Sequence, residues 1–299
     1  MWFRNLTVLR APKPWALDRA ALETALQPLA FTEAMSVETQ RMGWTPPREG
    51  HTEPVYALAD AWLIALRQEK KLLPTRVVQQ FVRERAVEIE AEEGFKLSRK
   101  RLRALKDEVR DQLLPRAFSI ATDTRAWIDA PRGLLVIDAA QASRADEVVG
   151  LLARSLGSLP VRPLQTRLSP VAAMTDWLAS DEAPAGFSLD QEATLKASDS
   201  PATLRYAHLS MEAEEIARHT RAGKRCTRLA MTWRDRVSFV LTDTLAIKRV
   251  KPLDVLREAE GGGADETDAE ARFAADFALM TAEVSALLED LFDALGGPA

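Results

Sequence analysis

The stretch from Lys96 to Phe118, KLSRKRLRALKDEVRDQLLPRAF, carries the side chains best suited to chemistry in this sequence. Read as a helix at 100° per residue, Lys96, Arg99, Lys100, Arg103, Lys106 and Arg110 fall within an arc of roughly 120°. Leu102, Leu105, Val109 and Leu113 form an apolar stripe beside that arc. Asp107 lies inside the cationic arc and Asp111 at its edge, so the basic face is diluted and not cancelled. Pro115 ends the helix, because its ring cannot continue the hydrogen-bond ladder, and Arg116 and Phe118 follow at the turn. A row of cations that ends in a guanidinium and an aromatic ring suits a polyanion whose bases can stack. The competing reading is a solvated helix face with a core phenylalanine. On this stretch alone that plainer reading is the stronger.

Residue patterns for catalysis are weaker. Gly223-Lys224 lacks the upstream glycine of a phosphate-cradling loop, and the glycines at 261–263 precede acids that would repel phosphate. His51, His208, His219 and Cys226 have no ligand spacing for zinc, and His219 reads as a helix-surface residue. No nucleophile-elbow pattern accompanies Ser155 or Cys226. Asp129 and Asp138, at the ends of two expected hairpin strands, are the nearest approach to a two-metal nuclease site, and ordinary strand-end acids explain them better. The expectation is a protein that is not an enzyme, with no metal and no cofactor. Of the seven tryptophans, Trp44 in a Pro/Gly-rich stretch is expected to be the exposed one.

These residues must be positioned by the rest of the chain. WFRNLTVL (2–9) reads as a strand, Asp18 caps a helix running to Ala30, and MGWTPPREGH (42–51) reads as a loop. A strand over Trp62–Arg67 is followed by a helix opened by Pro74 and bent at Gly94. Two strands flank the turn at Pro131-Arg132-Gly133. Ser143 caps a helix that Gly157 ends, and a short helix covers Thr175–Ala179. EATLKA and TLRYAHL read as strands, Ser210 opens a helix, and CTRLAMTW, RVSFVLT and LAIKRVK read as three antiparallel strands. GGGADET (261–267) is a connector. A last helix carries Phe273, Phe277, Met280, Val284, Leu287, Leu291 and Leu295 at 3–4 spacing. Hairpins outnumber βαβ units, so the fold class is α+β. The chain is expected to divide into sub-regions 1–74, 75–165, 166–253 and 254–299.

Composition sets further bounds. The chain has 299 residues, 46% of them hydrophobic and 28% charged, as in a soluble globular protein of ample core. It lacks a membrane-spanning run and a signal-peptide plan, and its single cysteine excludes an internal disulfide. These features point to the cytoplasm. The net charge of −4 is uneven: twelve acids face two arginines from Asp254 to Ala299, so that segment carries −10 and residues 1–253 carry +6. An acidic mean does not exclude a nucleic-acid site, because binding depends on where the charge lies.

MWFRNL, MGWTPP, KDEVRDQLLPRAFS, WIDAPRGLLVID, SLGSLPV, GKRCTRLAMTW and RFAADFALMTAEVSALLEDLFDALGG together resemble the RdgC family of bacterial recombination-associated proteins, from Met1 to Gly297. The resemblance implies a curved α+β protomer, two of which close into a ring around a positively lined hole. It implies binding of double-stranded DNA, and more weakly single-stranded DNA, with little sequence preference. It also implies a nucleoid-associated protein that restrains the RecA recombinase by competing for DNA. Arg116 and Phe118 then correspond to positions at a finger-like β-hairpin on the ring's inner side. Where relatives carry lysines and a glutamine, this chain has Arg205, Tyr206, Ala207 and His208, so only Arg205 is expected to keep a phosphate contact there. Tyr206 reads better as strand packing than as a base-stacking ring. Two other readings remain: direct contact with the recombinase through the acidic last helix, and a nuclease built on Asp129, Asp138 and a third acid.

Overall fold

The computed structural model describes residues 1–12, 15, 17–33, 38–197, 199–207, 213–256 and 269–297. The connector at 261–267, the helix start at Ser210 and His208 lie outside the described residues. In chain order the elements are β1 (Asn5–Arg10), α1 (Arg19–Leu26), β2 (Gln40–Thr45), β3 (Val55–Leu58), β4 (Ala61–Lys71), α2 (Thr75–Glu93), α3 (Arg99–Leu113), β5 (Ser119–Asp129) and β6 (Leu134–Asp138). They continue as α4 (Ala142–Leu156), β7 (Arg162–Pro163), α5 (Pro170–Ser180), β8 (Phe187–Ala197), β9 (Thr203–Ala207), α6 (Ala213–Arg221), β10 (Lys224–Trp233), β11 (Val237–Thr242), β12 (Ile247–Pro252) and α7 (Ala269–Ala294).

All twelve strands join one open sheet in the order β2-β4-β5-β6-β1-β12-β11-β10-β8-β9, with β3 on β4 and β7 on β1. The strand pairings are antiparallel throughout, which makes the fold α+β as expected. The N-terminal strand β1 is the seam: it pairs with β6 on one side and β12 on the other, so the two halves of the sheet share one framework.

Each half is covered on a different face. Ile64, Leu66, Ala126, Ile128, Leu135 and Ile137 pack under Leu22 and Leu26 of α1 and Val148, Leu151 and Leu152 of α4. The opposite face carries Leu63, Trp127, Val136 and Leu6, then Leu229, Met231, Phe239 and Leu241. There the sheet packs against α5 through Met174 and Leu178 and α6 through Ile216. The 26-residue α7 packs there through Phe277, Met280, Val284, Leu287 and Leu291. The 3–4 spacing of the last helix therefore does mark its buried side. A third, separate cluster holds α2 and α3 together.

Several expectations need correction. The segment 42–45 is not loop but part of β2, and Trp44 is 2% exposed, its indole N–H donating to Ser155 Oγ at 2.9 Å. Gly43 explains why a glycine-bearing stretch can be a strand. A Cβ there would lie 2.5 Å from the Phe31 Cα, because the Phe31 N–H donates to the Trp44 carbonyl at 2.7 Å. The first helix stops at Leu26 and gives way to a 3₁₀ turn over Gln27–Leu29 that accommodates Pro28. β4 runs on to Lys71, and β3 was not foreseen. Lys96 does not belong to the basic helix: α3 starts at Arg99, after the N-cap Ser98.

Gly43→Ala is expected to lower stability by about 1–3 kcal/mol, since the new methyl meets backbone that cannot swing away. Urea unfolding measures this, and an unchanged midpoint would contradict the close approach of residues 30–31 to β2.

Candidate nucleic-acid interface

The basic stretch sits on a helical arm inserted between β4 and β5, which pair over eleven residues from Ala61↔Asp129 to Lys71↔Ser119. Gly94, at φ +77°, closes α2. Ser98 then caps α3, its Oγ accepting from the Arg101 N–H at 3.3 Å. Val78 and Ala86 of α2 bury against Leu97, Leu105 and Val109, with Leu102 and Leu113 at the margin, so the predicted apolar stripe is the one that holds the arm together. Arg101, on the other flank of α3, clasps Glu93 of α2 with two hydrogen bonds, and this contact pulls the Glu93 carboxyl below its usual range. Arg85 lies 3.9 Å from Glu108.

Arg99, Lys100, Arg103 and Lys106 are exposed and make no ion pair with any described residue. Arg110 is also exposed, 3.7 Å from Asp111. Lys96 is exposed in the bend before the helix. Arg116 lies at the end of the 3₁₀ turn Leu114–Arg116 and is exposed. Phe118 is 84% exposed, so it is not a core residue. Its carbonyl accepts from the Leu72 N–H at 2.7 Å, which leaves the ring standing beside the exposed side chains of Leu72 and Ile120.

A second cationic surface was hidden from sequence reasoning. None of the three apolar clusters includes a residue from the far face of β8, β10, β11 and β12. Paired residues in an antiparallel sheet point the same way. Lys196↔Arg225, Thr194↔Arg228 and Thr194↔Arg205 therefore share that face, as do Ser238↔Lys251 and Val240↔Lys248. Arg249, at φ +54°, reaches Glu192 of β8 at 2.7 Å, and must cross β11 and β10 to do so. Arg205 approaches the same carboxylate at 3.3 Å. The two guanidiniums, Arg249 foremost, hold Glu192 below its normal pKa. Asp190, which accepts from Thr232 Oγ1 at 3.1 Å, is pushed up by burial. Arg205 is thus placed on a basic face, whereas Tyr206 points the other way into the core, where its hydroxyl donates to Glu215 at 3.0 Å. Burial first, then Glu215, pushes the Tyr206 hydroxyl up to about 12. The signal in the sequence was the alternation of cations with apolar residues in KRCTR and IKRVK, which only the sheet order turns into one surface.

Asp129 and Asp138 are not brought together. Asp129 pairs with Leu134, and Asp138 lies at the far end of β6, about 13 Å along the hairpin at ~3.3 Å per residue. Asp129 is buried against Arg132 at 3.2 Å, and Asp138 accepts the backbone N–H groups of Arg4 and Asn5. Among the described residues no three His, Cys, Asp or Glu side chains gather as a metal site. Cys226 is buried, and its burial pushes the thiol up to about 12. His219 is half-buried on α6, with Lys224 Nζ 2.9 Å from its Nδ1.

The acids of α7 are used within the chain. Glu283 accepts from Arg236 Nε at 2.8 Å, Glu289 from Arg132 at 2.9 Å, and Asp290 from both Arg234 at 2.8 Å and the Trp233 indole at 2.7 Å. Asp276 pairs with the N-terminal ammonium of Met1. Among the described residues no helix is long and apolar enough to cross a membrane.

The sequence matches, over residues 1–298, a family model described as "Putative exonuclease, RdgC". It is 52% identical to the recombination-associated protein RdgC of Cupriavidus pinatubonensis, covering 99% of each chain. It is also 52% identical to that of Burkholderia ambifaria (99% of this chain, 96% of the relative) and 50% identical to that of Bordetella parapertussis (99% of each). With whole-length matches at this identity, the chain belongs to the RdgC family of recombination-associated proteins.

Proposed function

We propose that this protein binds DNA without sequence preference, as a dimeric ring around the duplex, and restrains RecA-mediated recombination by occupying the DNA that the recombinase needs. The observation that carries this reading is the row of exposed cations on α3, of which Arg99, Lys100, Arg103 and Lys106 pair with no described residue, ahead of the exposed Phe118. Lysines and arginines free of carboxylates can each displace a counterion from a phosphate, and each phosphate so neutralised contributes a slope of about −0.9 to log K against log salt. No base edge is needed, so the protein can slide. A two-fold dimer would double both the α3 row and the basic sheet face around one axis. Single strands would engage fewer phosphates per length and bind more weakly. The protein would act in the cytoplasm, associated with the nucleoid, as a binding protein and not an enzyme. Direct capture of the recombinase by the acidic last helix is the weaker reading, because Asp276, Glu283, Glu289 and Asp290 already serve contacts within the chain.

Charge reversal at Arg103 and Lys106 together is expected to weaken duplex binding and flatten its salt dependence by about two slope units, with the melting temperature preserved. Unchanged affinity and slope, read by fluorescence anisotropy across a salt series, would make α3 a merely solvated face. Arg228→Glu with Lys251→Glu tests the sheet face separately, and the same loss of salt slope is expected there. Phe118→Ser is expected to impair inhibition of strand exchange while shifting the melting temperature by less than about 2 °C, since an exposed ring contributes little to the core. A labelled duplex incubated with Mg²⁺ or Mn²⁺ should remain uncut; metal-dependent cleavage would overturn the non-enzymatic reading.

A further inference from the structure

Where the helical arm meets the sheet, the end of β4, the start of α2 and the last turns of α3 enclose a cavity of about 350 Å³. Lys70 and Lys71 line it from the sheet, as consecutive strand residues whose side chains leave opposite faces of β4, and Lys106 and Arg110 line it from the arm. Among the described residues no carboxylate lines it, and Asp111 lies 3.7 Å from Arg110. Lys70, Lys71 and Lys106 make no ion pair with any described residue. Thr39, Gln40 and Thr75 add neutral hydrogen-bonding groups to the wall. Cations gathered in a partly enclosed space repel one another more strongly than they would in open water. An anion of compact shape and multiple charge removes that repulsion. The volume lies at the small end of ligand pockets, ~300–1,000 Å³, which admits a chain of a few phosphates and not a duplex.

We propose that this cavity is a binding site for a compact polyphosphate group, a di- or triphosphate, whose occupancy ties the helical arm to the sheet. One lysine of β4 on one side and Lys106 with Arg110 on the other give the anion a grip on both bodies. Lys106 and Arg110 belong also to the row proposed to hold DNA, so a bound polyphosphate would remove two of its contacts. That consequence rests on the DNA-binding reading; the site itself does not.

Inorganic triphosphate is the probe, titrated into the full-length protein by calorimetry at fixed ionic strength. Saturable binding is expected, weakened about tenfold or more in Lys70→Gln with Lys71→Gln, because each charge-assisted contact contributes more than a neutral one. Lys70→Arg with Lys71→Arg should retain it. Arg99→Glu with Arg103→Glu, outside the cavity, should keep triphosphate binding within about threefold while duplex binding falls. Loss of duplex binding to none of these variants would sink the DNA reading and leave the cavity standing. The absence of saturable heat, an unchanged affinity in the Lys70/Lys71 glutamine variant, or equal loss in both double variants would overturn the site, the last by revealing diffuse charge attraction.

Discussion

The structure depends on how one wide sheet is covered. A twelve-stranded sheet has two faces and each apolar stretch of either face must meet a helix or lose its burial energy, ~25 cal/mol for each Å² left wet. The helices α1 and α4 cover one face of the first half; α5, α6 and α7 cover the other face of the second half. The far face of the second half has no such cover, and it is there that the strands alternate cations with their core residues. Ala230 and Val240 lie on that face yet are nearly buried, at 7% and 3%, beneath a region that the Arg249 side chain must cross. A sheet face free of helices can be polar only if its side chains are content in water, and arginine, lysine, serine and threonine meet that condition.

The arm follows a different logic. It is an excursion between two strands that pair continuously, so it adds no strand to the sheet and builds its own small core from α2 and α3. Such a hairpin of helices can present one flank to solvent without cost to the main core. Glu93 and Arg101 fasten the two helices on the flank away from the basic row. The cations that remain unpaired are thus those that the packing of the arm does not use.

Charge is partitioned by the same economy. The last helix carries acids on its solvent-facing edges, and loops from the sheet bring Arg132, Arg234 and Arg236 to them. These contacts are partly exposed and each contributes modestly, ~0–1 kcal/mol, but together they orient α7 over the seam and neutralise acids that would repel phosphate. A negative mean charge and cationic surface patches are compatible because Glu283, Glu289 and Asp290 spend their charge on arginines inside the chain.

Local chemistry was readable along the chain. The apolar stripes of α3 and α7, the Asp18 cap, the hairpin at Pro131-Arg132-Gly133 and the cationic row on α3 all follow from spacing, since a helix or a tight turn is decided by residues a few positions apart, although α4 is preceded by Gln141 and not capped by Ser143. The burial of Trp44, the strand at 42–45, the exit of Lys96 from the helix and the exposure of Phe118 were not readable. Trp44, the strand and Phe118 each depend on a partner distant in sequence, Ser155, the backbone of Phe31 and Leu72 in turn, whereas Lys96 falls between the Gly94 end of α2 and the Ser98 cap of α3. Arg205 could be named from the sequence, but its neighbours Arg228, Arg249 and Lys251 could not, because strands far apart in the chain become one surface only through the sheet order. Residue types and spacing therefore determined most of the helices and strands and where the chain is basic; the tertiary structure alone decided which faces are left uncovered, because coverage is a property of long-range packing and not of any window of sequence.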